Sequence, residues 1–283
     1  MLTVLESLKL STDYLDKKGI ESPRLNAELL LADILKCRRI DLYLKFDQPL
    51  KEAEVSQYRE YISRRGKFEP LQYITGKTEF YGLPFYVSPD VLIPRPETEF
   101  MVEEIIKLFG TRSDLKILDI GTGSGNIPVV LAKKIANAQI TTMDISEKSI
   151  QIARRNAVLN EADSKINFVV GDINQLNANG IFYDIIVSNP PYISAEEYPT
   201  LQPEIILHEP SIALTDSGDG LNFYRTISIK AKSNLNRGGT LFFELGKGQH
   251  IEVQKILQDN GFINIRIIKD YQHIERVISG ELT

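Results

Sequence analysis

From Leu115 to the end of the chain, short β-favouring runs alternate with helical patterns, and that alternation leaves few folds open. "LKILDI", "QITTMD", "INFVV", "DIIVS", "GTLFFEL", "FINIRIIK" and "ERVIS" read as seven strands. Between them, "GNIPVVLAKKIA", "EKSIQIARRNAVLN", "NFYRTISIKAKSNL" and residues 248–260 read as helices. Strands that alternate with helices predict an α/β fold, a doubly wound and mostly parallel seven-stranded sheet with helices on both faces. The last two strands lie too close together for a helical crossover, so one of them is expected to run antiparallel.

The chain ahead of this pattern has a different texture. Val4, Leu5, Leu8 and Leu15 recur at helical spacing. "ESPRLNAELLLADIL" offers Ser22 as an N-cap with Pro23 as the first helical residue. Val55, Tyr58 and Ile62 mark a third amphipathic helix. Residues 1–75 therefore predict a small all-helical domain. In residues 76–97, "TEFYG" and "LPFYV" flank a turn at Gly82, which predicts a β-hairpin. Pro89, Pro94 and Pro96 then make a proline-rich linker, and residues 98–283 form the α/β domain.

Composition narrows the function classes. Of 283 residues 42% are hydrophobic, enough for a core without staples. The single cysteine, Cys37, excludes a disulfide framework within the chain, and three scattered histidines (His208, His250, His273) argue against a metal site. No apolar stretch approaches membrane-spanning length, and Glu6 and Asp13 interrupt the N-terminal apolar pattern, unlike a signal peptide. A cytoplasmic protein with no membrane contact is expected. The net charge of −5 disfavours a protein built to grip nucleic acid. The short basic clusters at Arg64, Arg65 and Lys67, at Lys133 and Lys134, and at Arg154 and Arg155 read as solvated helix surface.

"LDIGTGSGN" ends the first strand and opens a helix. Gly121, Gly123 and Gly125 let the backbone turn sharply and approach a ligand, with Thr122 and Ser124 between them. The spacing is G-x-G-x-G, not the G-x-G-x-x-G that cradles a dinucleotide pyrophosphate. Asp119 stands two residues ahead, where a carboxylate would repel a pyrophosphate but suits a ligand bearing an ammonium group and a sulfonium. S-adenosylmethionine is such a ligand. Asp144, at the tip of the second strand, can take hydrogen bonds from ribose hydroxyls. Asp172 can accept from an adenine amine, with Ile173 packed on the ring. Each aspartate alone could be a strand-end cap; together they line a crevice for a methyl donor.

The fourth strand stops at "SNPPY". An amide or aromatic-amine nitrogen has a delocalised lone pair and must be held with that lone pair aimed at the methyl donor. The Asn189 side-chain oxygen can accept one proton of a planar NH2 group and the Pro190 carbonyl the other. Pro190 and Pro191 stiffen the loop, and Tyr192 can pack against a flat acceptor. Electron-rich acceptors there also stabilise the positive charge that develops on nitrogen. The residues by themselves stop at a planar NH2 acceptor: adenine, guanine or glutamine.

"PLQYITGKTEFYGLPFYV", "VLIPRPETE", "DIGTGSGN", "SNPPYI" and "HEPSIALTDSGDGLNFYR" together resemble the release-factor glutamine methyltransferase family over nearly the full length. The resemblance implies a Rossmann-like class I methyltransferase domain with S-adenosylmethionine as donor. It implies as substrate the glutamine of the Gly-Gly-Gln loop of peptide-chain release factors, methylated on N5 to modulate translation termination. Asp119, Gly121, Thr122, Gly123, Ser124, Gly125, Asp144, Asp172, Ile173 and Asn189 would then contact the donor. Asn189, Pro190, Pro191 and Tyr192 would hold the glutamine, with Arg95 and Glu97 at the rim of the site or in a salt-bridged linker. Glu209 and Pro210 would shape a pocket wall or support it. The helical domain would help to dock the release factor. The rivals are a nucleic-acid amino methyltransferase, a nicotinamide oxidoreductase and a non-catalytic interaction protein.

Overall fold

The computed structural model describes residues 2–176 and 180–283, which divide into two compact units. The first comprises Met1–Gly76 and Gln202–His208; the second comprises Lys77–Leu201 and Glu209–Thr283.

In the first unit, helix α1 (Val4–Lys17) starts with a capping box in which Thr3 and Glu6 satisfy each other's main-chain amides. Helix α2 (Pro23–Ile34) begins at Pro23, as its fixed φ favours, but Ser22 does not cap it. Ser22 sits at φ 49° with no side-chain cap bond, and Asn26 Nδ2 instead donates to the carbonyls of Glu21 and Ser22. A 3₁₀ turn (Arg39–Lys45), helix α3 (Glu52–Arg65) and helix α4 (Leu71–Thr75) complete the stretch, the first and last of these unpredicted. Val4, Leu8, Leu15, Leu30, Leu31, Tyr58 and Ile62 form its core, whereas Leu5 is exposed.

The second unit opens with the expected hairpin, β1 (Lys77–Phe80) paired antiparallel to β2 (Leu83–Tyr86). Phe80 and Phe85 join the main core, so the hairpin packs on the α/β domain. Helix α5 (Pro96–Phe109) follows, then β3 (Lys116–Ile120), α6 (Asn126–Lys134), β4 (Gln139–Asp144), α7 (Glu147–Leu159), β5 (Ile166–Val170) and β6 (Tyr183–Ser188). Next comes the short helix α8 (Pro203–His208), which belongs to the first unit. Arg65 reaches it with an ion pair to Glu204 at 2.7 Å, and His208 Nε2 lies 3.0 Å from the Lys67 carbonyl. Helix α9 (Asn222–Asn234), β7 (Leu235–Glu244), α10 (His250–Asp259), β8 (Phe262–Lys269) and β9 (Glu275–Leu282) end the chain.

The strand order is β5-β4-β3-β6-β7-β9-β8, parallel except for β9, which runs antiparallel to both neighbours. This is the doubly wound sheet that the alternation predicts. Its order reverses between β3 and β6, and such a reversal opens a crevice beyond the carboxyl ends of the strands. Two apolar clusters fill the opposite faces, one around Ile117, Ile185 and Phe242, the other around Leu118, Ile186 and Phe243. Successive residues of a strand point to opposite faces, so fully apolar strands feed both layers.

Candidate active site

A cavity of about 260 Å³ lies at that reversal. Its walls are Ile120, Gly121 and Gly123 after β3, Met143 to Ser146 after β4, and Gly171 to Asn174 after β5. Ser188, Asn189, Pro190 and Pro191 after β6, Asp90 to Leu92 from the proline-rich linker, and Phe223 and Ile227 of α9 close it. Four strand ends and a glycine loop thus converge where the sequence places the donor crevice.

Gly121 and Gly123 have φ of +77° and +52°, which only glycine adopts without strain, and a Cβ on either would meet nothing within 4 Å. They are glycines for their turn and for the open face they present to the cavity. Gly125, at φ +80°, serves another purpose: a Cβ there would stand 2.9 Å from Ala153 Cβ on α7. Its missing side chain admits a neighbouring helix. Thr122 and Ser124 are buried and do not line the cavity.

Asp144 is held at the strand tip by two main-chain donors, Gly123 N to Oδ2 and Ser146 N to Oδ1, each at 2.9 Å. Burial pushes its carboxyl above the ordinary aspartate value, against the pull of the Ser146, Gly123 and Ile145 amides. Each oxygen keeps a lone pair for a ligand hydroxyl. Asp172 accepts from the main-chain and side-chain amides of Asn174 and caps a 3₁₀ turn, with Ile173 buried beside it. Asp119 is fully buried beneath the glycine loop. Thr142 Oγ1 donates to its Oδ2 at 2.6 Å, and Oδ1 has no hydrogen-bond partner among the described residues. Desolvation raises its pKa to about 6, opposed by the Thr142 and Thr122 hydroxyls and reinforced by the nearby Asp144 carboxylate. Like Thr122 and Ser124, Asp119 does not line the cavity.

Asn189 and Pro190 follow the last residue of β6 on the cavity wall. Asn189 Nδ2 donates to Thr98 Oγ1 at 3.2 Å, and Thr98 Oγ1 donates to Glu244 Oε2 at 2.6 Å. Tyr192 does not line the cavity. Its ring packs on the β6–β7 core, and its hydroxyl lies 3.4 Å from Glu244 Oε1. Arg95 pairs with Glu209 at 2.5 Å, and Glu97 lies 3.8 Å from Arg276, which also binds Asp270 at 2.9 Å. Both ends of the "RPE" run are therefore engaged in ion pairs away from the cavity lining, while Pro210 lies on it.

A match to the PrmC N-terminal domain covers residues 6–76, and a match to the methyltransferase small domain covers residues 97–221. A release factor glutamine methyltransferase of Fusobacterium nucleatum is 44% identical over 97% of this chain and 77% of its own length. That of Geobacter sulfurreducens is 41% identical over 99% of this chain and 97% of its own. The chain belongs to the release factor glutamine methyltransferase family. It is an enzyme of methyl transfer, and S-adenosylmethionine is the family's methyl donor. A solved methyltransferase from Pyrococcus furiosus shares the fold, with a TM-score of 0.52, 20% identity and coverage of 71% of this chain and 90% of that one.

The residues present suit that donor. An acidic strand tip at Asp144 and two open glycines, Gly121 and Gly123, match ribose and a close main-chain approach respectively. Thr98 and Glu244 escaped the sequence reading. The signal for Glu244 is an acid between Phe243 and Leu245 in the apolar run "LFFEL", and Thr98 sits inside "IPRPETE".

Proposed function

We propose that this family member transfers the methyl group of S-adenosylmethionine to the side-chain N5 of the glutamine in the Gly-Gly-Gln loop of peptide-chain release factors. Translation termination would be modulated by that mark, in the cytoplasm, with the helical unit docking the factor. The observation that carries the proposal is the placement of Asn189 and Pro190 at the end of β6, on the cavity wall beside the acidic strand ends.

When bound, S-adenosylmethionine supplies an electrophilic methyl group. Asp144 would hold the ribose, Asp172 and Ile173 the adenine, and Asp119 would offer its carboxylate toward the ammonium end. Asn189 Oδ1 and the Pro190 carbonyl would accept the two amide protons of the glutamine, leaving the nitrogen lone pair directed into the cavity. Holding a poor nucleophile in this way can supply about 7–11 kcal/mol of the barrier without a general base. The two oxygens also stabilise positive charge on that nitrogen. Among the described residues no helix is long and apolar enough to cross a membrane.

The test is methyl transfer to a release factor prepared without the modification, read by mass spectrometry of the Gly-Gly-Gln peptide. One added methyl is expected, absent with Asn189→Ala. Methylation of DNA or RNA in parallel reactions, with none on the factor, would overturn the assignment of substrate.

A further inference from the structure

Behind Asn189 runs a polar chain that donor binding does not require. Asn189 Nδ2 donates to Thr98 Oγ1, Thr98 to Glu244 Oε2, and the Tyr192 hydroxyl points at Glu244 Oε1. Thr98 and Glu244 are each 1% exposed, so the chain is sealed from water on the side away from the cavity. It joins the first turn of α5, the carboxyl end of β7 and the loop after β6. A carboxylate buried among Phe243 and Leu245 costs several kcal/mol of desolvation that a leucine would avoid. Stability alone does not account for it.

Donor and acceptor counting assigns it a task. An ionised carboxylate only accepts, so the single hydroxyl hydrogen of Thr98 is committed to Glu244. Toward Asn189, Thr98 then presents lone pairs alone. The Asn189 carboxamide must therefore turn its NH2 to Thr98 and its oxygen the other way. That is the orientation in which Asn189 can accept a proton from a substrate amide. We propose that Thr98 and Glu244 are positioning residues that lock the Asn189 carboxamide with its oxygen toward the acceptor amide. The inference rests on the function proposed above, since only an NH2-bearing acceptor needs that orientation.

The lock has a protonated state that releases it. A neutral Glu244 can donate to Thr98, which frees the Thr98 hydrogen for Asn189 Oδ1. The carboxamide would then turn its own NH2 to the cavity and oppose the substrate's. Facing Glu244 are Thr98 and Glu97 from α5, the Tyr192 hydroxyl and Arg276 from β9. The Tyr224 hydroxyl of α9 donates to its main-chain oxygen at 2.9 Å. Burial raises the carboxyl most, with Glu97 adding to it; Thr98, Tyr192 and Arg276 pull the other way, and the pKa stands at about 7.

The experiment compares wild type with Thr98→Val, Thr98→Ser and Glu244→Gln by steady-state kinetics across pH 5.5–9. In parallel, the Asn189 side-chain amide is followed by ¹⁵N NMR after selective asparagine labelling, with Asn189→Ala identifying its signal. Thr98→Val is expected to lower kcat roughly 100-fold, the scale of a misplaced reacting group, with little change in donor affinity. Thr98→Ser should recover most of that loss. Wild-type kcat should fall below about pH 7 with a one-proton slope, a limb that Glu244→Gln abolishes. The Asn189 amide signal should titrate over the same range in wild type and stay still in Glu244→Gln. Equal kcat for the valine and serine variants, or an amide signal indifferent to both pH and Glu244→Gln, would overturn the lock. Absence of transfer by the wild-type protein would count against the proposed function alone, and the amide signal would still decide the lock.

Discussion

Asp119, proposed above to face the ammonium end of the donor, ties one buried carboxyl to the pH dependence of stability. Its carboxyl is lifted to about 6 by burial, and one oxygen goes without a partner. An acid whose pKa rises on folding binds its proton more tightly in the native state, so stability falls as pH climbs from about 4 to about 6. Over that window the free protein should lose on the order of 3 kcal/mol through this group, at 1.36 kcal/mol per pKa unit. Asp119→Asn removes the dependence, so chemical denaturation at pH 4 and pH 8 should show the variant gaining on wild type as pH rises. Donor binding runs in the opposite direction. A cationic donor favours the ionised carboxylate, so its affinity should increase from pH 5 to pH 7 in wild type and stay flat in Asp119→Asn, as calorimetric titration would show. A variant with the wild-type pH dependence would mean that another group is responsible.

At the scale of elements, Asn156 is the hinge-pin between hairpin, helix and glycine loop. From α7 it accepts from Tyr86 N at 2.7 Å, and it donates to Tyr86 O at 2.9 Å and to Ser124 O at 2.8 Å. It is fully buried, so truncation strands three main-chain groups out of reach of water. Asn156→Ala should cost about 3 kcal/mol or more, since each unmet buried polar group costs about 1–3 kcal/mol. Because Ser124 lies in the loop that turns the main chain toward the cavity, donor affinity should fall along with the denaturation midpoint. Loss of stability with unchanged donor affinity would show that the loop holds its shape without this anchor. In the sequence Asn156 is one polar residue on a helix, and nothing local says that it faces a strand 70 residues earlier.

At the scale of the whole molecule, the first unit draws on two distant stretches of chain. Arg65, 6% exposed, donates to Asn26 Oδ1 at 2.8 Å, to Glu69 O at 3.0 Å and to Glu204 Oε2 at 2.7 Å, the last 139 residues away. Arg65→Ala leaves three half-buried acceptors without their donor, and should loosen Gln202–His208 more than any strand of the sheet. Limited proteolysis should then cut near residues 196–208 several-fold faster than in wild type, with donor binding retained; unchanged cutting would sink the idea. The chain alone determined the strand and helix alternation, the glycine loop, the acidic strand tips and the "NPPY" stop. Each of these is a local pattern, written by backbone sterics and side-chain periodicity within about ten residues. Only the tertiary structure decided that Gly125 makes room for α7, that Arg95 and Glu97 are engaged in ion pairs, and that α8 returns to the helical unit. It alone brought Thr98, Asn189, Tyr192 and Glu244 into one hydrogen-bonded chain. Those outcomes depend on which groups meet after the sheet has closed, and a buried polar atom's partner is set by that meeting, not by its neighbours in sequence.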